Sequence, residues 1–101
     1  MSLNIEQGQV YTFKLNSGEE LIAKVEFING EFLTISEPVS VAPGPQGMGL
    51  MPSMFTADPR AGARLNTSSV ALCAPTDDSV KMKYIEATTG IKLPEKKIVL
   101  G

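Results

Sequence analysis

The fold is decided by residues 10–25, which read VYTFKLNSGEELIAKV. Apolar and polar side chains alternate in its first six residues, and Tyr11, Phe13 and Leu15 fall on one face, as in a half-buried strand. The Asn-Ser-Gly that follows supplies turn chemistry, because Gly18 accepts a positive φ without steric cost. Alternation then resumes, so the stretch predicts two strands joined by a turn.

Outward from this stretch, the alternation continues to Ile28 and predicts a long second strand. Its apolar face consists of Leu21, Ala23, Val25 and Phe27. We therefore interpret Phe27 as a core residue. Asn29-Gly30 predicts a two-residue hairpin, because a type I′ turn needs positive φ at both central positions. A third strand is predicted over residues 32–36, with a continuation past Pro38 through Val39 and Val41.

The composition changes at residue 38. Residues 38–62 contain five prolines and four glycines, and no regular element is expected at that density of helix and strand breakers. We predict a long Pro/Gly/Met loop over about residues 38–64. Met51, Met54 and Phe55 suggest that it packs on something, and packing between subunits is our preferred interpretation. A flexible, partly disordered tip is the alternative.

Two further strands are predicted after this loop. Residues 70–74 alternate, and residues 80–87 place Val80, Met82 and Tyr84 towards the core with Lys81 and Lys83 outwards. Residues 91–101 form a short C-terminal tail. We expect one all-β domain over residues 1–101, a small five-stranded antiparallel barrel whose twisted sheet curls to protect its edges. The expected core includes Phe13, Leu21, Val25, Ile35, Leu72 and Tyr84.

Composition excludes several classes of function. The chain has 101 residues, no His and one Cys, so a disulfide framework is excluded and general acid-base chemistry has few candidates. No nucleophile has an obvious partner base, and Cys73 lies among small apolar residues as a packed thiol. We expect no enzyme activity, no cofactor, no metal and no small-molecule substrate. The chain lacks a membrane-length apolar run and a secretory signal, which predicts a cytoplasmic protein.

The charge is unevenly distributed along the chain. The net charge is -2, the wrong sign for a protein that grips nucleic acid mainly through phosphates. Residues 1–40 carry 2 basic and 6 acidic residues, whereas residues 81–101 carry 5 basic and 2 acidic residues. The acidic front and basic tail could attract each other between neighbouring copies; the simpler interpretation is solvated strand faces.

Residues 10–25 resemble the first motif of Sm-like proteins: an alternating strand, Leu, two turn residues that end in Gly, and a second strand. The hairpin at Asn29-Gly30, a long variable loop after the third strand, and a closing pair of strands also follow the Sm order. The tail, residues 84–94, is similar to that of small Sm-like proteins encoded by tailed phages, including marine ones. A phage origin would place the protein in the bacterial host cytoplasm.

The resemblance implies a strongly bent five-stranded barrel. In this family, strand four of one copy pairs with strand five of the next and closes a homo-oligomeric ring, which usually binds short single-stranded RNA. Asn29 and Phe32 fall where the recognition residues of the family lie, and we expect them to form the RNA site. Phe27 or Phe32 would stack on a base and Asn29 would read its edge, although alternation favours Phe27 as a core residue.

The chain also departs from the family pattern. Ala23 stands where the family has Gly, Leu33 lies near the position of the binding Asn, and residues 74–78 replace the Arg-Gly of the second motif. We therefore retain two hypotheses for the function. The first is a ring that binds single-stranded RNA in RNA metabolism. The alternative is a structural or protein-interaction barrel of a phage particle without RNA binding.

Overall fold

The computed structural model of the protein describes residues 4–45, 47–58 and 60–89. These ranges are mostly β. The strands are β1 (Val10–Leu15), β2 (Glu20–Asn29), β3 (Phe32–Gly44), β4 (Gly47–Pro52), β5 (Ala63–Asn66) and β6 (Val70–Pro75). A 3-10 helix, Thr67–Ser69, links β5 to β6, and one α-helix, α1 (Asp78–Thr89), follows. The predicted tail over residues 91–101 lies outside the described residues.

The six strands of the described ranges form one antiparallel sheet that is not closed. Its order is β4-β3-β2-β1-β6, and β5 pairs with the first half of β3. The predicted first three strands and the strand at residues 70–74 are confirmed. The turn between β1 and β2 is also confirmed, because Gly18 takes a φ of 97° and donates its N–H to the carbonyl of Leu15 at 2.9 Å.

The main core lies on one side of the sheet, which we call the inner face. Its buried side chains are Tyr11, Phe13, Leu21, Ala23, Val25, Leu33 and Ile35. Four predicted core residues, Phe13, Leu21, Val25 and Ile35, are confirmed here. The prediction for Leu72 is wrong: its side chain is 68% exposed, because it lies opposite Lys14 on the other side of the sheet, which we call the outer face.

The predicted fifth strand at residues 80–87 is wrong, because this segment is helix α1. Asp77 caps the helix, and its carboxylate accepts hydrogen bonds from the backbone N–H of Ser79 at 3.1 Å and of Val80 at 3.3 Å. Val80 and Tyr84 are spaced four apart, so both fall on the helix face that packs on the sheet. Tyr84 is buried as predicted, whereas Met82 is 63% exposed.

The predicted loop over residues 38–64 is also wrong in part, because two strands interrupt it. The second half of β3 pairs with β4 from Val39↔Pro52 to Gly44↔Gly47, and β5 begins at Ala63. Gly47 makes the turn possible, with a φ of 108°. Most of these glycines and prolines therefore lie in the β3–β4 hairpin, whose strand β4 is at an edge of the sheet, where missing N–H groups are tolerated.

An irregularity in the middle of β3 separates its two halves. Ile22 pairs with Val39 and Lys24 with Ser36, so β3 contains one residue more than β2 over this stretch. Glu37 sits there with a φ of 53°. The hydroxyl of Tyr84 donates to the backbone carbonyl of Glu37 at 2.8 Å, and it lies 3.2 Å from that of Ser36. Helix α1 thus holds the backbone at the point where the register changes.

A second, smaller core lies between helix α1 and one end of the outer face. It contains Ile22 and Val39 from the sheet and Tyr84 from the helix, with Val10, Val41, Leu50 and Val80 packed around them. The helix leaves the other end of the outer face, towards the β2–β3 turn, uncovered. Among the described residues, no helix is long and apolar enough to cross a membrane.

Candidate nucleic-acid interface

A β-bulge determines where the side chain of Phe27 lies. Val25 pairs with Ile35 but Phe27 pairs with Thr34, so Glu26 is the extra residue. The hydroxyl of Ser36 donates to the Glu26 carboxylate at 2.6 Å and ties the bulge to β3. Strict alternation would put Phe27 on the inner face with Val25; the bulge moves it to the outer face. Phe27 is 62% exposed, so its assignment to the core is wrong.

Two rows of cross-strand neighbours make up the uncovered end of the outer face. The first row is Asn29↔Phe32↔Asn66 and the second is Phe27↔Thr34↔Arg64. Side chains directly opposite each other in an antiparallel sheet share a face. We call these six residues the open face. Rings, amides and a guanidinium are concentrated there on three adjacent strands.

Arg64 and Phe32 interact directly on the open face. The guanidinium carbon of Arg64 lies 5.7 Å from the centroid of the Phe32 ring, within the range of a cation–π contact. A surface cavity of about 510 Å³ opens beside this pair, with Asn29, Glu31 and Thr34 in its lining. The cavity therefore combines a flat ring, a cation and a side-chain amide, the groups with which proteins stack and read an unpaired base.

The hairpin that carries Asn29 and Phe32 turns one residue later than predicted. Asn29 pairs with Phe32, so the two turn residues are Gly30 and Glu31, and Gly30 takes a φ of 41°. Thr67 attaches this turn to the 3-10 helix. Its backbone N–H and its hydroxyl donate to the carbonyl of Glu31 at 3.0 and 3.1 Å.

The structure brings the two predicted site residues, Asn29 and Phe32, directly opposite each other. Sequence reasoning missed Arg64, because it lay inside the predicted loop. A signal was present, since Ala63-Arg64-Leu65-Asn66 alternates apolar and polar residues over the length of a short strand. Leu65 contacts the inner core while Arg64 is exposed, as that alternation requires.

Two further groups with chemistry of their own, Cys73 and Asp77, have structural roles. Burial raises the pKa of the Cys73 thiol, which packs against the inner core and is not activated towards the thiolate. Hydrogen bonds from Ser79, followed by one from Val80, lower the pKa of Asp77 in its capping role. In the described ranges, no group of three His, Cys, Asp or Glu side chains could hold a metal ion.

Comparisons with known proteins do not assign the chain to a family. No family model matches the sequence, and no curated protein matches it. The chemistry of the open face is therefore the basis on which a function is proposed.

Proposed function

We propose that this protein is an Sm-like, ring-forming protein that binds single-stranded RNA on its open face, without catalysis. The observation that carries the proposal is the contact between Arg64 and Phe32, with Asn29 directly opposite Phe32. A base would stack on the Phe32 ring, and the Asn29 amide would hydrogen-bond to its edge. Arg64 would add a cation at the same place.

This chemistry fits the charge of the protein. Stacking depends on the π-face that every base has, so it does not need the dense positive charge that phosphate binding requires. The six residues of the open face include one cation, Arg64. Weak binding with little salt dependence is therefore expected, in a chain whose net charge is -2.

The path of the sheet supports the barrel part of the proposal. Strands β5 and β6 belong to opposite ends of the path β5-β3-β2-β1-β6. Leu65 from β5 and both Val70 and Cys73 from β6 nevertheless pack against the same inner core. A sheet whose two ends contact one core is strongly curved, as a small bent barrel requires.

The free edges of the sheet support the proposed ring. The elements that would pair between copies differ from those that the resemblance implied. The pairing implied by the resemblance used residues 80–87 as strand five, and that segment is a helix. The available edges are those of β4, β5 and β6, because each of these strands pairs with one strand in the described part of the chain. Of these, β5 and β6 both pack against the inner core from opposite ends of the sheet. We propose that β5 of one copy pairs with β6 of the next, giving roughly five to seven copies around one closed ring.

Light scattering with native mass spectrometry tests the ring. One closed species of several copies is expected at micromolar protein, because an exposed strand edge readily pairs with another chain. A monomer at these concentrations would contradict the assembly.

Fluorescence anisotropy with labelled oligo(U) and oligo(A), at low and physiological salt, tests RNA binding. Asn29→Ala, Phe32→Ala and Arg64→Ala should each weaken binding by about 1–3 kcal/mol for a lost base contact or stack. Arg60→Ala is the matched control, since Arg60 is an exposed arginine outside the open face.

Two results would contradict the RNA site. One is a steep salt dependence that disappears when Lys81 and Lys83 are neutralised, because it would place binding on helix α1. The other is the absence of binding to any single strand. That second result would favour the alternative, a structural or protein-interaction module of a phage particle, which the exposed Met48 and Phe55 favour.

A further inference from the structure

The open face contains a second aromatic ring that the proposed site does not use. Phe27 is 62% exposed and lies in the row next to Phe32. Thr34 is directly opposite Phe27, and Phe32 is two residues from Thr34 along β3. Diagonal neighbours of this kind lie about 7–8 Å apart, within reach of aromatic side chains. The two rings therefore belong to one continuous surface.

The bulge at Glu26 places Phe27 on this face. An aromatic ring at this position could have joined the inner core if the alternation of β2 had continued past Val25. The extra residue instead directs Phe27 outwards, and the Ser36 hydroxyl holds Glu26 in the bulge. Bulges that redirect a side chain are frequent beside functional sites. A single exposed ring is common, but contiguous rings such as Phe27 and Phe32 often mark a binding site.

We propose that Phe27 is a second base-stacking platform, so that the open face binds two adjacent unpaired bases of a single strand. This inference rests on the proposed function and deepens it. One base lies on Phe32 beside Arg64, and its neighbour in the strand lies on Phe27. The small side chain of Thr34, between Phe27 and Arg64, leaves room for the sugars that connect the two bases.

The surroundings favour a nucleic acid over an apolar protein surface as the occupant. Apart from the Phe32 ring, the neighbours of Phe27 on the open face are polar or charged: Thr34 and Arg64 in its own row, and Asn29 and Asn66 in the next. An apolar partner would bury these groups without hydrogen bonds, at a cost. Single-stranded nucleic acid presents π-faces that stack on the Phe27 ring and polar base edges that form hydrogen bonds with the polar side chains around it.

The experiment uses three labelled RNA pentamers with abasic positions. The first has one central uridine, the second has two adjacent uridines, and the third has two uridines separated by one abasic position. We expect the unmodified protein to bind the adjacent pair at least about 5-fold more tightly than the single uridine, since each stacked base adds affinity. The separated pair should lose most of this gain.

Phe27→Ala should bring the affinity for the adjacent pair down to that for the single uridine, and it should change the affinity for the single uridine less than about 2-fold. Phe27→Trp should retain the preference, because it keeps a stacking ring. Phe55→Ala is the matched control, because Phe55 is also an exposed phenylalanine and lies outside the open face. Circular dichroism should show that all three variants are folded.

The outcomes separate this inference from the proposed function. Binding that Phe32→Ala weakens but Phe27→Ala leaves unchanged overturns the second platform and keeps the first site. Failure of the unmodified protein to bind oligo(U) or any pentamer overturns both. If Phe27→Ala alters the number of copies in the assembly but not RNA binding, Phe27 is a contact between copies, and the inference is overturned.

Discussion

The two ends of the outer face of the sheet share strands β2 and β3 but lie in opposite environments. At one end, Ile22 is 1% exposed beneath helix α1, together with Val39. At the other end, Phe27 on the same strand is 62% exposed. Covering one end with a helix completes a core, and leaving the other end open presents rings to solvent.

The difference shows that apolar character alone does not decide which side chains are buried. Ile22 and Phe27 are both large and apolar, and both lie on the outer face of β2. The helix begins at its Asp77 cap and packs through residues spaced four apart, so it reaches one end of the sheet. The bulge at Glu26 in β2 then places Phe27 at the uncovered end.

The largest expected effect is a contrast in stability between these two ends. Ile22→Ala should lower the free energy of unfolding by about 3 kcal/mol, because it removes buried methyl groups and leaves a cavity. Phe27→Ala should change it by less than about 0.5 kcal/mol, because that ring is largely in water. Urea unfolding followed by circular dichroism measures both. Equal losses would mean that the open end is also covered in the folded protein.

A smaller effect on stability is expected from the Tyr84 hydroxyl, which joins helix α1 to strand β3. Tyr84→Phe removes the donor to the Glu37 carbonyl and leaves the ring in place, which should cost about 1 kcal/mol. Tyr11→Phe is a comparison elsewhere in the core, where the hydroxyl accepts a bond from the N–H of Glu6. An unchanged unfolding midpoint for Tyr84→Phe would show that α1 is held by apolar packing alone.

The same hydroxyl predicts a dependence on pH. Burial raises the pKa of Tyr84 far above its ordinary value of 10.0, and the carboxylates of Glu37 and Glu26 raise it as well. The folded protein therefore holds this proton more tightly than the unfolded chain does. The contribution of the protonated Tyr84 hydroxyl to the free energy of unfolding is complete below about pH 10 and declines as the pH rises further. Unfolding at pH 8 and pH 10.5 should show a smaller loss for Tyr84→Phe than for the unmodified protein.

The smallest effect is expected at Glu37. Its φ of 53° is unfavourable for a residue with a side chain, by about 1–2 kcal/mol, and glycine removes that strain. Glycine also increases the freedom of the unfolded chain, which costs about 0.5–1 kcal/mol. Glu37→Gly should therefore stabilise the protein by roughly 0.5 kcal/mol. A clear loss in the thermal melt would mean that the Glu37 side chain stabilises the bend.

The elements predicted correctly from the sequence are those in which one hydrophobic pattern dominates. Strands β1 and β2 alternate cleanly, and Gly18 marks the turn between them, so both strands and the turn are confirmed. Helix α1 was mistaken for a strand because Val80 and Tyr84 satisfy both a period of two and a spacing of four. Asp77 is the sequence signal that separates a helix from a strand here, since Asp followed by Ser in the first turn favours the start of a helix.

The open face was predicted in part, and the omissions have local causes. Asn29 and Phe32 were identified from the hairpin, and the structure places them opposite each other. Phe27 was assigned to the core because a bulge has no reliable sequence signal, and one inserted residue moves every later side chain to the other face. Arg64 was missed because it follows a segment dense in glycine and proline.

The pair of hydrogen bonds from Thr67 to the Glu31 carbonyl has a consequence for kinetics. These bonds attach the tip of the β2–β3 hairpin to the segment that follows β5, across 36 residues of chain. A tip fixed in this way has little conformational freedom left to lose when a ligand arrives, so less affinity is spent on ordering it. Encounter should then be limited by diffusion and orientation of the ligand rather than by rearrangement of the hairpin.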